Sequence, residues 1–388
     1  MNIRVIGSTH PGYNLEVEDA KLFAGHSAGI CYMKDDFDTI LTEPEEKTLK
    51  RFKQTAGSGH HSVAGHTSYN LLFVGIPKIL AMILNNEKDY NTSEKSARYT
   101  KMTLGPDEQA LYDKWLHIFE RRIRDTYPRI EDMTRTKLAQ ENARYFISVF
   151  TPSTTMEYTV DFRQGNYLIG FLEDYALEIA KSPDLFDKKL LPWLLEAASA
   201  MKQIFDCPDI RDKKGRRLSL FAPRARSEYF GEVYSVNYVG SFAELAQAQR
   251  HRSINYEMSL KTSGSMRFFV PPIIEDNLDL VEDYLRDMNS VADNFPQGTL
   301  VKINERGTLE DFVTSKCTER LCGAAQLEIC RETDRTLHRY VENATAAGDT
   351  EIFRYLNRIL NKTKCQFTEQ ICTRRCPLGP ENALDRKI

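Results

Sequence analysis

Gln247 and Arg250 stand three positions apart near the end of a predicted helix, and Arg250-His251-Arg252 runs on into the turn, so an amide and a basic triplet gather at one place. That set suits a phosphate beside a planar, hydrogen-bonding ring, because guanidinium forks hold phosphate oxygens in pairs through charge-assisted bonds. The plainer alternative is a solvated basic helix end favoured by the helix dipole. Two further groups lie far upstream: Gly59-His60-His61-Ser62 with His66, and Glu94-Lys95-Ser96-Ala97-Arg98-Tyr99. Neither has the look of a metal site, and such histidines could simply satisfy backbone groups.

The elements that must position these residues come in two versions. Tyr69 to Ala81 lies without a gap over Tyr234 to Ala246, and on that register Arg250-His251-Arg252 falls on Asn85-Asn86-Glu87. Self-similarity at a fixed offset implies a duplicated unit. Alternation over Ser68 to Val74 and Val233 to Val239 predicts strands, each punctuated by a glycine before a helix that carries Ile79, Leu80, Ile83 and Leu84 or Phe242, Leu245 and Ala246 on its core face. Pro77 suits a first helical turn, where its missing N–H is of no consequence. Longer helical stripes follow at Leu111, Trp115, Ile118 and Phe119 and at Val281, Tyr284, Leu285 and Met288, with more helix across 168–181, 190–204 and 309–341.

A chain of 388 residues fits two domains, 1–210 and 211–388, joined through the charged stretch Asp206 to Arg226 with its Pro208 and Pro223. The expected fold class is α/β in the α+β sense: two similar units, each an antiparallel sheet with long packed helices, forming an internal pseudo-dimer. A formal charge of −3 gives no global field for nucleic acid. No run approaches the roughly 18 apolar residues of a membrane span and no signal peptide opens the chain, which predicts a cytoplasmic protein with no membrane partner.

Taken in order, the motifs resemble the flavin-dependent thymidylate synthases, whose signature is Gly-His-x-Ser-x-x-x-His, then a strand and helix ending in Gln-x-x-Arg-His-Arg, then Glu-x-Ser-x-Arg-Tyr. Glu141-Asn142-Ala143-Arg144, Asp161-Phe162-Arg163, Asn304-Glu305-Arg306 and Ala325-Gln326-Leu327-Glu328-Ile329, with Arg320 six residues before Gln326, extend the likeness over most of both halves. The first half keeps His60, Glu94, Ser96, Arg98 and Arg144 but has lost the Gln and Arg-His-Arg positions. The second keeps Gln247, Arg250, His251, Arg252 and Arg320, has Asp293 near where an Ala-Arg pair belongs, and lacks the Gly-His segment. Twelve residues separate its Arg252 from Ser265-Met266-Arg267, where the family has seven.

The family builds each site from more than one subunit, so the resemblance implies one composite site drawn from both halves and a second, dead one. It implies reductive methylation of dUMP to dTMP, with methylenetetrahydrofolate as carbon donor, FAD as hydride carrier and NADPH as reductant, in a homodimer equivalent to the family's tetramer. By the same likeness Ser96, Arg98, Arg144, Gln247, Arg250 and Arg320 surround dUMP, with Arg250, Ser96 and Arg320 nearest the chemistry and Ser96 orienting rather than attacking. His60, Glu94, His251, Arg252, Arg163 and Arg306 lie nearer FAD. Two other readings stand beside this one: a diverged flavin-dependent alkylase of another uracil nucleotide, and a non-catalytic nucleotide-binding or scaffold homologue. Cys365, Cys372 and Cys376 could hold a metal with one more ligand, but they lack paired C-x-x-C spacing, and ordinary thiols are the expectation.

Overall fold

The structure is a computed structural model and describes residues 1–9, 16–98, 100, 102–211, 216–260, 266–368, 372, 376, 378–379 and 383–388. Tyr99 and Ser265 of the motifs lie outside the described residues. The chain forms two compact units that cut across sequence order: 1–95 with 152–218, and 96–151 with 219–388. The break at Leu218 falls inside the charged stretch singled out above. A segment of the first sequence half is therefore packed into the second unit.

In the first unit, β1 (Asn2–Ser8), β2 (Ser68–Ile76), β3 (Tyr90–Glu94) and β4 (Thr154–Asp161) make an antiparallel sheet in the order β1-β2-β4-β3. Alternation puts Tyr69, Leu71 and Phe73 of β2 at 0 % exposure, against the buried Met156, Tyr158 and Val160 of β4. Helix Lys78–Leu84 follows, with Pro77 at its N-cap and every residue from Ile79 to Leu84 buried. Helices Val17–Tyr32, Phe37–Leu41, Glu45–Gly57, Phe162–Ile179 and Leu185–Phe205 also belong to this unit, and Phe162–Ile179 is capped by the Asp161 carboxylate accepting from the Gln164 N–H at 2.6 Å.

In the second unit, β5 (Tyr229–Phe230), β6 (Val233–Ser241), β7 (Asn255–Ser259) and β8 (Leu300–Thr308) form another antiparallel sheet, in the order β5-β6-β8-β7. The offset that aligns the motifs also takes β2 onto β6 and β3 onto β7, first residue to first and last to last. The two strand-ending glycines differ in purpose. Gly75 has φ +68° beside a break in register, a backbone state that side chains resist, whereas Gly240 leaves room for the Glu244 carboxylate, which a Cβ would strike.

Segment 96–151 is built into the second unit by three means. Helix Pro106–Thr126 packs on helix Leu278–Ser290, with Trp115 edge-on to Tyr284 at 5.0 Å and stacked on Phe146 at 5.6 Å. The indole N–H donates to the Asp287 carboxylate at 2.8 Å, which satisfies the one polar atom of that fully buried ring. Backbone bonds from Val149 N to Phe295 O, Gln297 N to Ile147 O and Gly298 N to Tyr145 O, 2.8 to 2.9 Å long, fix the chain next to Arg144.

One expected element is broken. The stripe across 309–341 reads as a single helix, but the chain runs as Leu309–Asp311, a π-helical turn Phe312–Cys317 and Thr318–Arg320, then leaves helix until Leu327–Ala347. Apolar periodicity continues through the break, since Leu321, Cys322 and Ala325 are all buried, and so the pattern hides it.

Candidate functional site

Strand β6 delivers the chain to Ser241, whose hydroxyl oxygen caps helix Phe242–Ala248 by accepting from Glu244 N–H at 3.0 Å. That helix ends at the Gln247 to Arg252 run. The Gln247 carbonyl, one of the acceptors exposed by the helix end, takes the Arg250 N–H at 3.3 Å and the Arg320 guanidinium at 3.1 Å. Arg320 also donates through Nε to His251 Nε2 at 2.7 Å, and His251 Nδ1 meets Ser315 Oγ at 3.0 Å. An arginine only donates, so His251 Nε2 accepts and the proton sits on Nδ1, facing the serine. Burial, with the Arg320 and Lys316 charges adding to it, pushes the imidazole down to about 2, and the ring is neutral.

From the other side of the second unit come Arg98 and Arg144. Arg98 pairs with Glu141 and donates to the Ala324 carbonyl at 3.1 Å. Arg144, 4 % exposed, donates to the Gln326 side-chain oxygen, and its Nε is buried without a partner. Gln326 in turn donates to Tyr145 Oη at 2.9 Å, and Tyr145 donates to Glu328 at 3.1 Å. Glu328 also accepts from the Ser241 N–H at 2.8 Å and the Ser241 hydroxyl at 2.6 Å. A buried relay thus runs from β6 through Glu328 to Arg144.

The electrostatics follow from burial. Arg144 is lowered by desolvation, with the Arg98 charge adding to it and Glu141, Tyr145 and Glu328 partly offsetting it. Arg320 is lowered to about 10, chiefly by burial, with the Arg98 and Arg250 charges adding to it and Tyr256 and Glu319 working the other way. Arg98, Arg144, Arg250 and Arg320 therefore form one mutually repelling cluster. Glu244 and Glu328, buried together, are both pushed up, first by desolvation. Replacing Ser241 by Ala removes a helix cap and the hydroxyl donor to Glu328, leaving the backbone N–H contact in place. A loss of about 1–2 kcal/mol is expected, read as a lower denaturant midpoint with an unchanged slope.

Of the residues named for dUMP, the second unit thus gathers Arg98, Arg144, Gln247, Arg250 and Arg320, and Ser96 lies at its start, its Oγ accepting from Arg98 N at 3.3 Å. Among those named for FAD, His251 is inside the cluster, Arg252 is exposed next to it, and Arg306 pairs with Glu257 at 2.5 Å. The first unit holds the other three: His60 bonds Tyr32, Glu94 takes Lys78 at 2.6 Å and Asn85 at 3.2 Å, and Arg163 faces Asp89 at 3.4 Å. Asn85, Asn86 and Glu87, at the positions matching Arg250-His251-Arg252, are all buried, with Glu87 paired to Arg216 at 3.0 Å. Among the described residues no group of three or more metal-ligating side chains forms, and Cys365, Cys372 and Cys376 join none.

Sequence reasoning missed Tyr145, Ser315 and Glu328 as parts of this arrangement; Glu328 lay inside a quoted motif, but a carboxylate two residues after Gln326 carries no signal of its own. A groove of about 510 Å³ also went unread. Arg224, Arg226, Lys302, Asn237 and Asn304 line it along β6 and β8, and Asn304 Oδ1 is buried there without a partner. The Asn304 amide is oriented by its Nδ2, which donates to Ser235 Oγ and Asn237 Oδ1 at 3.0 Å and to the Val236 carbonyl at 3.3 Å.

Residues 16–168 match the family model described as thymidylate synthase complementing protein, which supports the resemblance read from the motifs. No curated protein matches the chain. Among solved structures it is similar to the UMP/dUMP methylase PolB from Streptomyces cacaoi bound with 5-Br dUMP, at 15% identity over 44% of this chain and 77% of that one, TM-score 0.32. It is also similar to the flavin-dependent thymidylate synthase ThyX from Helicobacter pylori complexed with FAD and dUMP, at 16% identity over 55% of this chain and 100% of that one, TM-score 0.30. No helix among the described residues is long and apolar enough to cross a membrane.

Proposed function

We propose, from the family match over 16–168 and the arginine cluster together, that this chain is an FAD-dependent thymidylate synthase acting on dUMP. Its site is composite within one chain, with Arg98 and Arg144 from the first sequence half and Gln247, Arg250 and Arg320 from the second. The observation that supports this most is that Arg144, buried, and Arg320, half-buried, are hydrogen-bonded to neutral partners: an amide oxygen, an imidazole and a carbonyl. Burying a guanidinium without a carboxylate is unfavourable, and an arriving dianionic phosphate offsets that penalty.

In this reading Arg98, Arg144 and Arg320 bind the phosphate, and Gln247 and Arg250 hold the uracil ring, whose carbonyl charge grows as the ring reacts. Ser96 orients the nucleotide. The neutral His251 keeps Arg320 aimed without competing for the anion. The groove beside Asn304 suits a diphosphate-bearing cofactor that donates hydrogen bonds: it has an orphaned buried acceptor and cations at Arg224 and Lys302, while Arg226 is paired to Glu257, which also lines it. FAD, when bound, supplies hydride transfer, with NADPH as reductant and methylenetetrahydrofolate as carbon donor. The two matching strand orders favour tandem duplication, with the Asn85 to Glu87 positions as the lost site, and two such chains would equal the family's four subunits in a homodimer.

The test is flavin absorbance of the purified protein, followed by nucleotide-dependent NADPH oxidation with dUMP, UMP and dCMP. Oxidation and dTMP formation with dUMP alone support this reading. Turnover of UMP instead makes the chain an alkylase of another uracil nucleotide, and nucleotide binding with no turnover makes it a non-catalytic homologue.

A further inference from the structure

The break between Arg320 and Leu327 carries three successive residues that each meet a guanidinium. Ala324 O accepts from Arg98 at 3.1 Å, Ala325 O accepts from Arg386 at 2.9 Å, and the Gln326 side chain accepts from Arg144. Two of these arginines belong to the cluster described above. The third does not: Arg386 lies in the last residues of the chain, outside the family match and every motif, and is 1 % exposed.

Arg386 makes no contact with a carboxylate among the described residues. Its Nη atoms donate to Ala325 O, Ala383 O and Cys330 Sγ, the last at 3.4 Å, and its Nε is buried without a partner. The segment around it is pinned at both ends. Ala383 and Ile388 are buried at 1 % and 3 %, Arg331 donates to the Arg386 carbonyl at 3.1 Å, and Lys387 N–H donates to Tyr127 Oη at 2.9 Å. Gly323 completes the arrangement, since a Cβ there would strike Cys376 Sγ.

Carbonyls that leave a helix must find donors or water, and with Leu321, Cys322, Ala325 and Gln326 buried the Ala325 carbonyl depends on a donor from the protein. Arg98 would leave with any rearrangement of the nucleotide site, because it also pairs with Glu141 there. Arg386 is the fixed donor. We infer that Arg386 is a positioning residue: it clamps the 321–326 turn so that Ala324 O and Gln326 meet Arg98 and Arg144, and the C-terminal segment is thereby part of the nucleotide site. The clamp stands on geometry alone, and its effect on dUMP rests on the function proposed above.

The experiment compares wild type with Arg386→Met, Arg386→Lys and the control Lys387→Ala, whose ammonium among the described residues meets only the exposed Asp276, at 3.4 Å. Hydrogen exchange of the ligand-free proteins reads the clamp directly. The amides of Cys322 and Ala325, bonded within the turn at 2.8 and 3.0 Å, are expected to exchange at least about tenfold faster in Arg386→Met, with Val236 and Ile303 in the sheet unchanged. Affinity for dUMP is expected to fall roughly tenfold with kcat little changed, and Arg386→Lys to recover part of it. Unchanged exchange in the turn overturns the clamp. Faster exchange with unchanged dUMP affinity overturns its positioning role, and a wild type that binds no dUMP overturns the proposed function while exchange still judges the clamp.

Discussion

Arg144→Met is expected to weaken dUMP binding by roughly 10- to 150-fold, the worth of one charge-assisted contact of about 1.5–3 kcal/mol, while leaving the nucleotide-free protein no less stable than wild type. The two halves of that result have one cause. Arg144 is nearly sealed from water, its Nε is unpartnered, and its bonded partner is the neutral Gln326. Its desolvation is a standing penalty in the free protein, and an apolar side chain of similar length removes it. The Gln326 oxygen loses its donor, which limits the gain. Calorimetric titration with dUMP and thermal unfolding without it check both halves. A large loss of stability with unchanged affinity would make Arg144 a structural strut and sink the site.

His251 gives the second large effect, through pH. The folded ring is held down to about 2, whereas an unfolded histidine titrates near 6.5, so between those values the unfolded chain binds a proton that the folded one refuses. Stability therefore falls as the pH drops below about 6.5, by up to ~1.4 kcal/mol per pH unit from this one group. Buried Glu244, Glu328 and Glu332 are raised, which acts in the opposite sense: their share of stability is lost as the pH rises past the ordinary carboxylate range. The histidine's share is thus read from the difference between wild type and His251→Gln, which keeps an acceptor for Arg320 and has no proton to gain. Denaturant titrations from pH 7 to pH 5 are expected to diverge, with the wild type losing stability faster. Parallel curves would mean that His251 is protonated in the folded protein and does not accept from Arg320.

Much of this was legible before any coordinates. Alternation named β2 and β6, and helical stripes named Pro106–Thr126 and Leu278–Ser290, because period-2 and period-3.6 burial write themselves directly into residue order. The motif residues Arg98, Arg144, Gln247, Arg250 and Arg320 were picked out by residue type and spacing, and the structure places all five in the second unit. The π-helical turn and the break at 321–326 were not. Their residues are as apolar as a helix core, and only donors from distant segments, Arg98 and Arg386, make a non-helical backbone tolerable there.

By itself the sequence determined which side chains are available for binding an anionic nucleotide and which local elements carry them, since both depend on residue type and near-neighbour spacing. Tertiary structure alone decided that segment 96–151 packs with 219–388, that His251 turns inward to hold Arg320, and that Arg386 reaches Ala325. Each of those outcomes is settled by which distant groups can satisfy a buried donor, acceptor or ring. That balance of desolvation against long-range pairing leaves no periodic trace along the chain.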